Sequence, residues 1–348
     1  DSTSTVAGVD HYVAIIKGHS KRRRLIAALV DAAESAYIKT KETDEILSTI
    51  KSQLREIDRD DKRKDLTSKE IAYTLLDDIS TRRGTKGPLG VMSGLESIDD
   101  HIHGFDNGSM VLIMARPSIG KTALSLTMAD SMATKGSVLY FSLDMGALAI
   151  FRRRLAAHTG ILHYKIRAGD IDDSRWDKLM TGLEAIGDEK FIFRDAARYK
   201  RVENLVACAE MVALEHNITA VYVDHIQLMS TNKKTNSVNE SISYISNELK
   251  SLAKNLNVPI FVLSQLNRSV ENRTNKRPML HDLRDSGALE QDANIVIGLY
   301  RNDKKSQDLE IAALKGQDTG TWEEILHYDL YTQKITDRRQ DDTPYFAR

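Results

Sequence analysis

Two regimes of hydrophobic spacing meet near residue 89. Before it, apolar residues recur every three or four positions. Leu25, Ile26, Ala28, Leu29, Ala32, Ala33, Ala36 and Tyr37 predict a helix over 22–39, and Ile46, Leu47, Ile50, Leu54 and Ile57 predict a second. The polar turn between them is short enough for an antiparallel hairpin. Residues 1–10 read as flexible, and the almost wholly charged 58–66 as a linker. Thr67-Ser-Lys-Glu70 then forms a capping box. It opens a short helix whose stripe is Ile71, Leu75, Leu76 and Ile79. That stripe needs cover, from its own core or from a neighbouring subunit. Arg83-Gly-Thr-Lys-Gly-Pro88 reads as a break between domains. The expected division is 1–66 for the hairpin and charged linker, 67–88 for the linker helix and break, and 89–348 for one large domain.

From residue 89 short apolar runs alternate with amphipathic stretches. Strands are predicted at 110–115, 137–143, 219–224, 258–264, 294–300 and 309–314. Helices are predicted at 121–134, 146–158, 174–186, 202–216 and 240–256. This alternation implies an α/β fold with a mainly parallel sheet covered on both faces. In such a sheet, functional residues gather at the carboxyl ends of the strands.

Composition narrows the picture only a little. Lys and Arg number 49 against 50 Asp and Glu, so nucleic-acid binding has to come from local patches. The single cysteine, Cys208, in an apolar helical stretch, reads as a buried thiol of a reducing compartment. No apolar run has the length of a membrane span and no signal peptide is visible, which points to the cytoplasm.

The chemistry lies at four strand ends. Met110-Val-Leu-Ile-Met-Ala-Arg-Pro-Ser-Ile-Gly-Lys-Thr122 has the order strand, turn, helix start of a phosphate-binding P-loop, with Ala115 where the pattern has Gly. Backbone N–H groups over Ser118, Ile119, Gly120, Lys121, Thr122 and Ala123 would cradle the phosphates of ATP. Lys121 would reach the β/γ oxygens and the Thr122 hydroxyl would ligate Mg²⁺. Asp144 follows the second strand. Asp224 ends the run Ala220-Val-Tyr-Val-Asp224, a second Mg²⁺ ligand in the Walker B manner. Gln265 ends Phe261-Val-Leu-Ser-Gln265, placed to sense the γ-phosphate or the attacking water. Taken singly, an Asp after a strand serves equally well as a helix cap. Together the four supply a cradle, a metal site, a base and a sensor. Two basic, Asn-rich segments follow strand ends. One carries Lys233 and Lys234, the other Arg268, Arg273, Lys276 and Arg277. Poor in aromatics, they suit backbone phosphate contacts better than base stacking, although solvated loops share the composition.

On these residues the chain resembles the DnaB family of replicative hexameric helicases, built on a RecA-like core. The carrying blocks are Ala115–Thr122, Phe141-Ser-Leu-Asp-Met145, Asp224-His-Ile-Gln-Leu-Met229, Ser264-Gln-Leu-Asn-Arg-Ser-Val-Glu271, Lys276-Arg-Pro-Met279 and Asp282–Ala293, with a weaker match at Lys165–Asp170. The resemblance spans about 20–335. The globular part that precedes the family's hairpin does not appear in the given sequence, which begins without Met as a fragment of a longer protein would, and some phage and prophage members diverge in this way. The resemblance implies a RecA-like P-loop NTPase preceded by a helical hairpin and linker helix. It also implies a homo-hexameric ring around single-stranded DNA, 5′–3′ polarity, ATP between subunits, basic loops facing the channel, and primase and a helicase loader as partners.

Three positions depart from the family. Asp144 stands where the family has the Glu that serves as general base. His225 stands where Tyr follows the Walker B Asp. The trans-acting Lys-x-Arg is reduced, leaving Lys315 as a weakened donor, with Gln317 at the Arg position in one alignment and Arg301 the nearest other cation. Two alternatives remain at this point. One is a RecA-like recombinase or repair ATPase. The other is an ATP-binding ring that hydrolyses poorly and acts as a regulatory DNA-binding protein.

Overall fold

The computed structural model describes residues 3–37, 43, 46, 49–50, 53–54, 67–83, 90–188, 190–235, 237–267, 270–271 and 273–338. The expected linker at 58–66, most of the break at 83–88, and Arg268 lie outside the described residues. The chain separates into two compact units, Asp1–Gly87 and Pro88–Arg348.

In the first unit α1 runs Thr3–Tyr37. The expectation that residues 1–10 are flexible is thereby corrected for residues 3–10, and residues 1 and 2 lie outside the described residues. No Pro interrupts this stretch and only Gly8 and Gly18 weaken it, so the helix propagates well before the first regular apolar stripe. Thr43, Ile46, Thr49, Ile50, Gln53 and Leu54 are helical too. Ile46, Thr49, Ile50 and Gln53 share a small cavity with Asp31, Ala32 and Ser35 of α1, so the two helices lie side by side. Helix α2, Ser68–Arg82, starts at the expected capping box: the Thr67 hydroxyl accepts from the Glu70 N–H, and Glu70 accepts from the Thr67 N–H at 2.7 Å. Ile71, Leu75, Leu76 and Ile79 are each more than half exposed.

The second unit holds helices α3 (Glu96–Ile102), α4 (Lys121–Ala133), α5 (Ala147–Thr159), α6 (His163–Ala168), α7 (Asp173–Asp188), α8 (Val202–Glu215), α9 (Val238–Leu256) and α10 (Gly287–Asp292). Its strands are β1 (Met110–Ala115), β2 (Ser137–Ser142), β3 (Phe191–Asp195), β4 (Ile218–Asp224), β5 (Ile260–Gln265), β6 (Ile295–Tyr300), β7 (Asp308–Gly316), β8 (Trp322–Asp329) and β9 (Lys334–Asp337). They form one sheet in the order β3-β2-β4-β5-β1-β6-β7-β8-β9. The first six positions in that order are parallel and the last three join antiparallel. Strands β3, β8 and β9 were not expected from the sequence. Cys208, expected buried, is half-buried on α8.

Successive residues of β1 feed opposite faces, as strand geometry requires. Val111, Ile113 and Ala115 pack with Ala123, Leu124 and Met128 of α4. Met110, Leu112 and Met114 pack with Leu205 and Val206 of α8 and Leu249 and Leu252 of α9. All six are at most 1% exposed, so β1 is the buried spine of the sheet and its carboxyl end is rigidly placed.

Candidate functional site

Ala115 ends β1 as an ordinary strand residue, paired with Gln265 and Leu299, and its carbonyl accepts from the Leu266 N–H at 2.9 Å. A side chain is tolerated there because the turn begins one residue later. Ser118 (φ 66°) and Gly120 (φ 130°) supply the left-handed turn. The backbone at Gly120 is one that L side chains rarely adopt, and a Cβ there would crowd the Tyr328 ring at 3.1 Å. Gly120 is the N-cap of α4, and no side chain caps that end. The backbone donors of Lys121, Thr122 and Ala123 therefore open a helix at the turn, the arrangement that favours an anion.

The Thr122 hydroxyl donates to Asp224 Oδ2 at 2.8 Å, and Lys121 Nζ stands 3.5 Å from Asp224 Oδ1. The Asp224 side chain is 3% exposed and that of Lys121 12%. Burial pulls the Lys121 ammonium below its usual pKa, against the opposing attraction of Asp224. Asp144 stands exposed beyond β2. Its charge acts on both Lys121 and His225. The turn that presents it is tied at Ser142, whose hydroxyl donates to the Met145 carbonyl and accepts from the Met145 N–H. His225 is buried beside Asp224. Burial and the Lys121 charge lower its pKa, against Asp224 and Asp144, which favours neutral imidazole.

Gln265 points to solvent, but its backbone is gripped. Gln227 donates to the Gln265 carbonyl at 3.1 Å and to Ser264 Oγ at 2.8 Å, and accepts from the Gln265 N–H at 3.1 Å. Arg116, inside the P-loop, donates to the Leu266 carbonyl at 3.0 Å and forms a short ion pair with Glu271. Sequence reasoning assigned no role to Gln227, Arg116 or Glu271. All three lie in quoted motif blocks, but a motif does not tell which members touch.

Lys121, Thr122, Asp144, Asp224 and Gln265 thus meet at one edge of the sheet. Lys315 does not join them. It pairs with Val296, three strand residues before Leu299, which lies opposite Ala115, so it sits on the order of 10 Å back toward the amino ends of the parallel strands. Its ammonium donates to the Glu290 and Gln291 carbonyls at the end of α10. Gln317 is tied to Asn294 through its N–H and its side chain. Arg301, the other cation considered, is 5% exposed and spends its guanidinium on carbonyls of its own chain.

Lys233 and Lys234 are exposed, with Lys233 5.0 Å from the centre of the Tyr244 ring, and Lys276 is exposed. Arg273 and Arg277, expected to contact DNA phosphates, have partners within the chain, while the Arg277 side chain stays 54% exposed. Arg273 donates to Asp282 at 2.8 Å and to the Arg277 carbonyl at 3.1 Å, and Arg277 donates to Glu310 at 2.7 Å. They clasp the loop that carries Lys276.

Residues 90–330 match the family model described as the DnaB-like helicase C terminal domain. The chain belongs to the DnaB-like helicase family. It is 33% identical over 318 residues to the replicative DNA helicase DnaC of Bacillus subtilis (strain 168), covering 89% of this chain and 69% of that protein. It is also 33% identical over 346 residues to the replicative DNA helicase DnaB of Helicobacter pylori (strain ATCC 700392 / 26695), covering 97% and 70%. Among solved structures, a DnaB-like replicative helicase described with its interactions with primase superposes with a TM-score of 0.80 at 29% identity, covering 95% of this chain and 79% of that one. A second solved structure, described as an ATPase domain, superposes with a TM-score of 0.74 at 31% identity, covering 79% and 100%. The sheet is therefore the RecA-like ATPase core of a DnaB-like helicase, and the recombinase and regulatory alternatives gain no support. No helix among the described residues is long and apolar enough to cross a membrane.

Proposed function

We propose that this DnaB-like chain is an ATP-driven motor that moves along single-stranded DNA as a homo-hexameric ring and parts duplex DNA, with the strand-end cluster as its hydrolytic centre. The observation that carries this reading is the physical join between cradle and basic loop. Arg116 holds Leu266 and Glu271, and Gln227 holds Gln265, at the root of the segment that leads to Lys276. A change at the phosphates would thus reach the DNA-facing side through a few hydrogen bonds.

The donor set fits Mg²⁺ and triphosphate. Thr122 and Asp224, already 2.8 Å apart, would hold the metal, and Lys121 would face the β/γ oxygens. When bound, Mg²⁺ neutralises charge on the phosphoryl group being transferred. Asp144 would take the proton of the attacking water, Gln265 would report the γ-phosphate, and Lys315 would act on a neighbouring subunit's site. Lys233, Lys234, Lys276 and Arg268 would contact DNA phosphates, and Arg273 and Arg277 would shape their loop. The exposed stripe of α2 supports docking on an adjacent subunit in the ring. Primase and a helicase loader are the expected partners, in the cytoplasm.

Purified chain should show ATP hydrolysis stimulated by single-stranded DNA, unwinding of forked duplex, and rings in electron micrographs with a nucleotide analogue. ATP binding without any hydrolysis would defeat the reading. A salt series sharpens the DNA assignment. Each lost phosphate contact should flatten the log–log dependence of single-strand affinity on salt by about 0.7. Combined Lys233→Ala, Lys234→Ala and Lys276→Ala should therefore flatten it by about 2. An unchanged slope would remove these lysines from the DNA path.

A further inference from the structure

Arg301, at the end of β6, is 5% exposed. Its guanidinium donates to three main-chain carbonyls: Lys304 at 2.9 Å, Ser306 at 3.2 Å, and Ser118. The first two anchor it in its own turn. The third is the left-handed residue of the P-loop, 183 positions away in sequence. The guanidinium also lies 5.2 Å from the centre of the Tyr328 ring, the ring that closes over Gly120. Asp303, the acid that acts on it from nearby, uses its carboxylate to accept the Lys305 N–H. Arg301 is thus a buried cation whose hydrogen bonds go only to neutral carbonyls. Burial disfavours its charge, so a neutral amide would hold a carbonyl at lower cost. The retained charge calls for an anion.

The Ser118 peptide shows how the two effects combine. A trans peptide is planar, so fixing the Ser118 carbonyl on Arg301 sends the Ile119 N–H to the opposite side. That N–H makes a long 3.4 Å bond to the Arg116 carbonyl, weak enough to be exchanged for a phosphate oxygen. We propose that Arg301 is a positioning residue for the phosphate cradle, holding the Ser118 carbonyl away from the nucleotide and adding positive potential behind the loop, so that it governs ATP affinity more than the chemical step. This rests on the reading of Ser118–Thr122 as the ATP site.

The test is the affinity of the full chain for a fluorescent ATP analogue with Mg²⁺, alongside KM, kcat and thermal unfolding without nucleotide, for Arg301→Gln and Arg301→Lys. Arg301→Gln should raise the Kd and KM together by about 10- to 100-fold, the factor carried by a charged hydrogen bond, with a smaller change in kcat. Arg301→Lys keeps the charge but loses the fork, so its Kd should fall between the two. A folded Arg301→Gln with unchanged Kd, or a fall in kcat at constant Kd, overturns the proposal. If Arg301→Gln fails to fold, Arg301→Lys decides alone: a Kd equal to wild type overturns it and a raised Kd supports it. Absent ATP binding by the wild-type chain would instead defeat the reading of the site itself.

Discussion

Asp224→Asn will cut Mg²⁺-dependent ATP hydrolysis by about 10²- to 10³-fold, the loss that follows removal of one preorganised electrostatic contact in an active site. The reason lies in how few charges face the cradle. Asp224 is buried, receives the Thr122 hydroxyl at 2.8 Å, and offsets Lys121 at 3.5 Å. Asparagine keeps the shape and one acceptor but gives the metal no anion, and leaves the buried Lys121 with less to balance it. The Mg²⁺ concentration for half-maximal rate should rise in the same variant. Hydrolysis with an unaltered Mg²⁺ titration would exclude Asp224 as a ligand.

Asp144 carries the second large effect, and it runs in both directions. Asp144→Asn should slow hydrolysis by about 10²-fold or more, the usual contribution of a positioned general base. Asp144→Glu should speed it, by up to about 10²-fold, because a base placed about an ångström short of its water loses that much. The exposed position of Asp144 leaves room for the longer side chain. Single-turnover rates at saturating ATP read the chemical step directly. A wild-type rate in Asp144→Asn, or a slower Asp144→Glu, would assign the proton to another acceptor.

The parts legible in the sequence are those written in consecutive residues. The runs Met110–Ala115, Ile218–Asp224 and Ile260–Gln265 are buried on both faces and read as unbroken apolar strands. Their carboxyl ends carry Asp224, Gln265 and the cradle, so the cis half of the site follows from strand polarity. Strand β8 was missed because only one of its faces is buried and Glu323, Glu324 and His327 break its apolar content. Strand β3 was missed because it is short, only half-buried, and ends in Arg194 and Asp195. Links across the fold were not legible at all. Arg116 and Glu271, or Arg301 and Ser118, are adjacent only because β5 and β6 flank β1. Basic composition alone could not separate Arg273, which clasps Asp282, from Lys276, which faces solvent.

On the roles proposed for them, the opposite placement of Lys121 and Lys315 along one sheet makes each subunit a directed object, with an accepting pole and a donating pole. In the proposed ring every junction is then built from unlike halves of two copies, as head-to-tail assembly demands. Subunits disabled at opposite poles can rescue one another. An equal mixture of Lys121→Ala and Lys315→Ala chains should rebuild about a quarter of the junctions with both halves intact. Neither variant alone can rebuild any. Activity recovered on mixing two inactive preparations would reveal the direction of the ring, and its absence would place the cation elsewhere.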